Sequence, residues 1–379
     1  MLLPVFEYLT SQREALLHTL RTLVEHETPT DDKAAIDRAQ EYLSGEFDAL
    51  GADIRVIPQA GAGNHLRAEF FGDGAMPQLT VLTHVDTVHP AGTLASMPFH
   101  AEGRLAHGPG VFDMKSGIVI GLYAVKALQA LNMVPRRKIV YLVTSDEEIG
   151  SPSSRALIEA EARCSDTVLV LEPGAGPHGA LKTWRKGVGH YSLTVTGRAS
   201  HAGADPERGR SAIVEMAHQV LRLHALNDSK AGTTINVGVM SGGTRPNVVP
   251  AESRAEIDVR VMSVAEAQRI EGIMQSLEPV TPDTVLQVSS GLNRPPMERS
   301  PHGMARFEVA KGLAAQIGYE LTETGTGGGS DGNFTAALGV PTLDGLGAVG
   351  NGAHSPNEFV LISMLPKRAA VLAGLLMEL

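Results

Sequence analysis

The sequence predicts an α/β protein with a mostly parallel central sheet, into which a compact ferredoxin-like α+β domain is inserted. Three apolar runs, "QLTVLTHVD", "KIVYLVTSDEE" and "DTVLVLEPG", each end in histidine or acids and are separated by Leu- and Ala-rich helical stretches. That alternation builds parallel sheets, which bind ligands beyond the carboxyl ends of their strands. From about residue 183 the texture changes to amphipathic elements in the order β, α, β, β, α, β, the ferredoxin-like arrangement. The expected domains are therefore 1–182 with 294–379, and an insert at 183–293.

Along the chain, Ser11 and Glu14 form a capping-box pattern ahead of Leu16, Leu17, Leu20, Leu23 and Val24, which predicts a first amphipathic helix ending before Pro29. A second helix is expected from about Lys33 to Leu50, stopped by Gly51, and "ADIRVIP" and "HLRAEFF" alternate as strands. The apolar run Ile118 to Val134 is interrupted by Lys126, Gln129 and Asn132, which fits a buried helix better than a membrane span. In the insert, "HYSLTVTGR", "TTINVGVMSGG", "ESRAEIDVRVM" and "DTVLQVSS" read as strands. Ile213, Ala217, Val220, Leu221 and His224 share one helical face, and a second helix spans 264–277. A helix at 304–317, the glycine-rich "TGTGGGSDGN", another helix and "NGAHSPNEF" complete the first domain.

The bulk numbers exclude several functions. The 379 residues are 43% hydrophobic, enough for a large core and roughly two to three domains. Acids exceed bases by 42 to 32, for a formal charge of -10, so no nucleic-acid partner and no anionic membrane are expected. Cys164 is the single cysteine and cannot form an internal disulfide, and "MLLPVF" is too short and lacks the basic residues of a signal peptide. A cytoplasmic location is the expectation.

The chemistry lies in the strand ends. Asp86, Asp113, Glu147, Glu148 and Glu172 converge on one sheet edge with no nearby run of Lys or Arg. Partly buried carboxylates repel at a cost of several kcal/mol each unless protons or a cation compensate. With His84 and His354 in reach, the mixed histidine and carboxylate set suits zinc, whereas oxygen ligands alone would favour magnesium or calcium. Two divalent ions offset the collected charge. Asp86, two residues beyond His84 on the same strand face, is placed to hold its second ring nitrogen.

The set "HVDTVHP", "GPGVFDMKSG", "TSDEEIGS", "LEP", "GRASHAG" and "AHSPNEF" resembles the dinuclear zinc carboxypeptidase and aminoacylase family, and within it the bacterial glutamate-cleaving carboxypeptidases. The resemblance runs through nearly the whole chain in order. It implies a zinc-exopeptidase-like catalytic domain carrying two Zn2+ per subunit, with Co2+ or Mn2+ as substitutes, and an inserted lid domain that mediates homodimerisation. It implies that Asp113 bridges the metals, with His84 and Glu172 completing one site and Glu148 and His354 the other. Glu147 is then the general base and acid, and Asp86 orients His84. His201 of the partner subunit holds the developing oxyanion, and Asn247 and Arg260 bind the substrate's free carboxylate. Arg294, in "LNRPP", lies near a position that recognises a glutamate side chain, for which the planar guanidinium fork is suited. Gly329 and Ser330, with Asp331, line the substrate pocket, the glycines letting the backbone approach. The chain departs from the glutamate-cleaving members at "WRKG", residues 184–187, where they have small residues.

The implied reaction is hydrolysis of a small N-acyl amino acid or short peptide with a free carboxylate, glutamate being the expected leaving residue. Other readings compete. An aminoacylase would use the same metals on other N-acyl amino acids, and a dimeric metal- or ligand-binding protein would have lost turnover, against which Glu147 argues. Singly, "HVD" reads as a surface pair, "DEE" as a solvated helix start, and Asp113 as an N-cap. His201 alone would face solvent, and Arg260 would lie on the wet face of its strand. "GGSDG", followed by Asp344 and His354, matches the spacing of a serine-hydrolase nucleophile elbow. The polar "LTETGTGGG" before it is no hydrophobic strand, however, and that reading leaves five acids unexplained. Neither glycine run has dinucleotide-binding spacing after a strand.

Overall fold

The computed structural model describes residues 2–72 and 76–379. Chain contacts divide it into two compact units, Met1–Trp184 with Arg299–Thr326 and Ser330–Leu379, and Arg185–Glu298 with Gly327–Gly329. The glycines 327–329 group with the second unit, where Arg185 Nη1 donates to the carbonyls of Gly328 and Gly329 at 3.2 and 3.0 Å.

The first unit is built on a six-stranded sheet in the order Asp53–Ile57, His65–Phe70, Ile139–Thr144, Gln78–His84, Ser165–Val170, Thr342–Leu343. The last four run parallel, and His65–Phe70 pairs antiparallel with both of its neighbours. Side chains alternate across the sheet. Leu79, Val81, Tyr141, Val143 and Leu169 face one core with the helices Lys33–Asp48, Ser116–Ala130 and Leu365–Glu378. Leu82, Leu142, Val168 and Val170 face a smaller core with Ile158 and Phe334, from the helices Arg155–Arg163 and Gly332–Ala337. Covered on both faces, the central strands are buried throughout, which is why they read as largely apolar runs without a polar face.

The second unit is a four-stranded antiparallel sheet, Thr234–Gly242, Glu252–Val261, Gly187–Thr196 and Val285–Arg294 in spatial order, with the helices Ala212–His224 and Val264–Gln275. This is the ferredoxin-like order. Its core is Tyr191, Leu193, Val195, Ile257, Val259, Met216, Ile270 and neighbours.

Two local expectations need correction. Ser11 does not cap the helix Arg13–Glu25. It ends a preceding helix, Leu2–Ser11, and its hydroxyl donates to the Tyr8 carbonyl at 2.7 Å. Buried Leu2, Val5 and Leu9 belong to the main core and hold that helix in place. In helix Ala212–His224 the apolar face read from periodicity is turned outward, with Ile213 39% and Leu221 72% exposed. The opposite face, Ala212, Glu215, Met216, Gln219 and Leu223, is buried. Glu215 and Gln219 go inward because the Glu215 carboxylate accepts the Val280 and Thr281 amides, at 3.1 and 2.6 Å, and Gln219 donates to Glu215. Among the described residues, no helix is long and apolar enough to cross a membrane.

Candidate metal centre

The centre forms where the parallel strands end. His84 is the last residue of its strand, and the chain turns at once through buried Asp86. His84 Nδ1 lies 3.0 Å from the Asp86 carbonyl and 3.3 Å from Asp86 Oδ1, so carbonyl and carboxylate together hold the ring. The carboxylate also accepts the Thr30 hydroxyl at 2.8 Å and the amides of Glu147 and Glu148, both at 3.2 Å. One buried acid thus fixes the orientation of His84 and the turn that presents Glu147 and Glu148. Glu172 follows the strand Ser165–Val170 and is 7% exposed.

Asp113 sits in the loop between Gly108 and the helix Ser116–Ala130, and the peptide bond from Asp113 to Met114 is cis. Gly110 has φ of 70°, and a Cβ there would stand 2.5 Å from Thr87 Cγ2, so both backbone and space demand glycine. His354, in a turn between short strands, has φ of 62°, a left-handed conformation uncommon outside glycine.

These residues form two groups sharing Asp113. The ligand atoms of His84, Asp113 and Glu172 lie within 4.8 Å of one another, as do those of Asp113, Glu148 and His354. In the first, His84 Nε2 is 3.4 Å from Asp113 Oδ1 and 3.5 Å from Glu172 Oε1. In the second, His354 Nε2 is 3.4 Å from Asp113 Oδ2 and 3.2 Å from Glu148 Oε2. Asp113 therefore turns one oxygen to each group.

The separations discriminate between two accounts. Direct ion pairs between imidazolium and carboxylate close to about 2.7–2.9 Å. Two ligands bound at about 2.0–2.1 Å to one tetrahedral ion stand about 3.4 Å apart. The second spacing is the one observed, and His84 Nε2 and Glu148 Oε1 are buried without a hydrogen-bond partner. Buried polar atoms left so are costly unless something else engages them. The donor set fits divalent metal ions.

Electrostatics agree. Burial pulls the His84 pKa down, yet the carboxylates of Asp113, Asp86 and Glu172 raise it well above its usual value. Asp113 and Glu148 push His354 up to about 10. Burial raises Asp113, but His354 and His84 hold it far below the usual carboxylate range, whereas burial dominates at Glu148 and raises it. The pocket demands positive charge, which protons on the histidines or bound metal ions supply.

The remaining candidates divide between the units. Ser330 is fully buried, and its hydroxyl donates to Asp344 at 2.6 Å and accepts the Gly332 amide at 3.1 Å. His354 pairs instead with Asp113 and Glu148, so Ser330, Asp344 and His354 do not assemble as a hydrolase triad. Asp331, also buried, accepts the hydroxyls of Ser151 and Thr144. In the second unit His201 and Asn247 meet along the backbone, where Ala202 N donates to Asn247 O at 3.0 Å. His201 Nδ1 accepts the amides of Gly203 and Ala204, both at 3.1 Å, which places the ring proton on Nε2. Arg260 is engaged by Asp258, with Nε and Nη2 each 2.9 Å from its carboxylate. Arg294 is 5% exposed, and a Cβ on Gly329 would meet its Cδ at 2.8 Å, so Gly329 makes room for the arginine stem.

Several residues of this architecture escaped the sequence reading. Thr30, Glu358 and Lys115 lie outside any periodic pattern, yet Glu358 is fully buried and accepts the amides of Gly110, Phe112 and Asp113. Lys115 is also buried, its ammonium donates to the His26 carbonyl at 2.8 Å, and burial lowers its pKa to about 7. Arg185, within the departing "WRKG", is 3% exposed, although the sequence marked that stretch only as a departure and gave the arginine no role. For Glu358 a signal existed, since an acid inside "AHSPNEF" had no stated task.

Comparison with known proteins agrees with this geometry. Residues 80–378 match Peptidase family M20/M25/M40. The chain is 33% identical over 384 residues to carboxypeptidase G2 of Pseudomonas sp. (strain RS-16), covering 99% of this chain and 92% of that protein. It is 29% identical to succinyl-diaminopimelate desuccinylase of Dechloromonas aromatica (strain RCB), covering 80% of this chain and 84% of that protein. Among solved structures, aminopeptidase PepT of Bacillus cereus superposes with a TM-score of 0.77 at 23% identity, over 97% of this chain and 98% of that one. The M20 metallo-carboxypeptidase Sso-CP2 of Sulfolobus solfataricus gives 0.72 at 18% identity, over 96% and 98%. The chain belongs to peptidase family M20/M25/M40 and is a metal-dependent peptidase of that family.

Proposed function

We propose that the protein hydrolyses the amide bond of a small N-acyl amino acid or short peptide with a free C-terminal carboxylate, and that glutamate is the residue released. The observation that carries this is the pair of three-ligand groups sharing Asp113, with nitrogen-to-oxygen separations of 3.2 to 3.5 Å. Two zinc ions are the proposed occupants, one held by His84, Asp113 and Glu172, the other by Asp113, Glu148 and His354. When bound, such ions polarise a carbonyl and lower the pKa of water to about 7.

The chain's own residues supply the rest. Glu147 takes a proton from the attacking water and delivers it to the leaving amine. Its backbone amide is tied to Asp86, the acid that also holds His84, so base and ligand share one support. His201, with its proton on Nε2, is proposed as donor to the developing oxyanion, supported by the two amides that Nδ1 accepts. Asn247, Arg260 and Gly329 are proposed to receive the free carboxylate and its backbone, and Arg294 the glutamate side chain. Ser330 is proposed to shape the pocket wall through Asp344 rather than by direct contact. Homodimerisation through the inserted unit is supported by exposed Ile213, Val214 and Leu221 and by the edge strand Thr234–Gly242, which carries exposed Val239 and Met240.

A second reading, a deacylase acting on other N-acyl amino acids, has one observation in its favour. The chain is also 29% identical, over 80% of its length, to a succinyl-diaminopimelate desuccinylase, a protein named for removal of an acyl group. Hydrolysis rates for a panel of N-acyl-glutamates, other N-acyl amino acids and N-succinyl amines, with and without added zinc, separate the two. Preference for the acyl-glutamates supports the first reading. A preference set by the acyl group, indifferent to the released amine, overturns it.

A further inference from the structure

Behind the metal centre lies an acid with no assigned role. Glu358 is fully buried in the first unit and stands four residues beyond His354. Its Oε1 accepts the amides of Phe112 at 2.7 Å and Asp113 at 2.9 Å. Its Oε2 accepts the amide of Gly110 at 3.0 Å and His89 Nε2 at 2.9 Å. Four donors thus converge on one carboxylate, three of them from the loop that carries Asp113, the residue common to both ligand groups. The left-handed Gly110, φ of 70°, turns its amide into the same concavity as the two that follow. Such nests of backbone N–H groups bind anions, and here the anion is supplied by the chain itself.

We infer that Glu358 is the positioning residue that sets the affinity of the second metal ion, by locking the Asp113 loop to the segment bearing His354. This rests on the metal reading given above. The second group draws two of its three ligands, Asp113 and His354, from the segments Glu358 joins, whereas the first draws only Asp113 from them. Asp113 Oδ1 and Oδ2 face different groups, so rotation of its loop trades one ion's geometry against the other's. A carboxylate is required because each oxygen accepts two bonds. A glutamine must turn its NH2 toward at least one backbone amide that already donates, that of Gly110 if His89 switches tautomer to accept, which forces the loop or the His354 segment to shift.

The test is zinc titration of the full-length, metal-stripped protein against a competing chromophoric chelator, with Co2+ absorption reporting each ion's ligand field. Wild type is expected to bind two ions. Glu358→Gln is expected to keep one near its original affinity and to weaken the other about 10- to 100-fold, the usual effect of losing a partner behind a metal ligand. The weakened ion should be the one abolished outright by His354→Ala in the same titration. Should Glu358→Gln fail to fold, His89→Ala, which removes one donor of four, is expected to weaken the same ion several-fold. Two unchanged constants in the variants that fold, even with a lowered unfolding midpoint, assign Glu358 a merely structural role and overturn the inference. Equal loss at both ions overturns it as well. A wild-type protein that binds no pair of ions defeats the metal reading instead, a distinct result.

Discussion

Replacing Asp86 by asparagine keeps the shape of the side chain and removes only its charge and half of its acceptor capacity. One oxygen faces His84 Nδ1 at 3.3 Å and accepts the Glu147 amide at 3.2 Å. The other accepts the Thr30 hydroxyl at 2.8 Å and the Glu148 amide at 3.2 Å. Either orientation of the new amide group points an NH2 at two donors. The less costly one faces Thr30, whose hydroxyl can turn to the Thr87 carbonyl, 3.4 Å away, so that only the Glu148 amide is left without an acceptor. An unsatisfied buried amide costs about 1–3 kcal/mol, and the bond lost was to a charged acceptor. The strain falls on Glu148, a ligand of the second group, and on the turn presenting Glu147. Asp86→Asn should therefore lower stability by about 2–3 kcal/mol and weaken metal binding about 10- to 100-fold. Urea denaturation of the metal-free chain reads the first number and competitive metal titration the second. A variant matching wild type in metal affinity and turnover would refute the assignment of Asp86 as the support of both ligands.

Further outcomes follow from the same geometry. Glu147→Gln should lower kcat by at least about 100-fold, within the range of general acid-base catalysis, while metal content by elemental analysis stays at the wild-type value; an unchanged kcat removes Glu147 as the base. A chelator should inactivate the enzyme and a serine-directed phosphonate should not, because the Ser330 hydroxyl is buried against Asp344; phosphonate inactivation with a label on Ser330 contradicts this. Metal binding near pH 7.5 should release about two protons, since ligation needs neutral imidazoles, whereas His84 is raised and His354 stands at about 10 in the metal-free site. Affinity must then fall as pH falls, and calorimetry in buffers of different ionisation enthalpy would expose the idea as wrong if no protons were released. Glu266 is held down to about 2 by Arg269 and the Thr233 hydroxyl. Its contribution is present above the ordinary carboxylate pKa and lost as pH drops toward 2, so Glu266→Gln should destabilise by about 0.5–1 kcal/mol at pH 7 and by almost nothing near pH 2; an equal effect at both values argues against the charged pair.

The parallel sheet was legible because its strands are buried on both faces and end in residues that burial does not favour. His84 and Glu172 follow buried, largely apolar runs, and such endings mark a shared edge. The ferredoxin-like unit was legible for the opposite reason, since its two central strands, Gly187–Thr196 and Glu252–Val261, alternate with one face toward their own small core. Other features were hidden by effects that pattern alone does not encode. Ser11 looks like a cap only if the helix before it is overlooked, and "LLPVF" was too short to announce a helix that the main core stabilises from outside. The apolar stripe of helix Ala212–His224 pointed the wrong way because Glu215 and Gln219 bury to satisfy the backbone near residue 280. Sheet order and the antiparallel pairing of His65–Phe70 depend on long-range contacts with no local trace. Glu358 holds the Asp113 loop through three backbone amides and Thr30 holds Asp86 through one hydroxyl, all across the fold, and acids or threonines in loops give no sign of such work.

The most direct measurement is a crystal grown with excess zinc and examined by anomalous scattering at the zinc edge. The account predicts two peaks about 3.5–4 Å apart, one against His84, Glu172 and an Asp113 oxygen, the other against Glu148, His354 and the second Asp113 oxygen. A single peak, no peak, or ions held without Asp113 between them would contradict it.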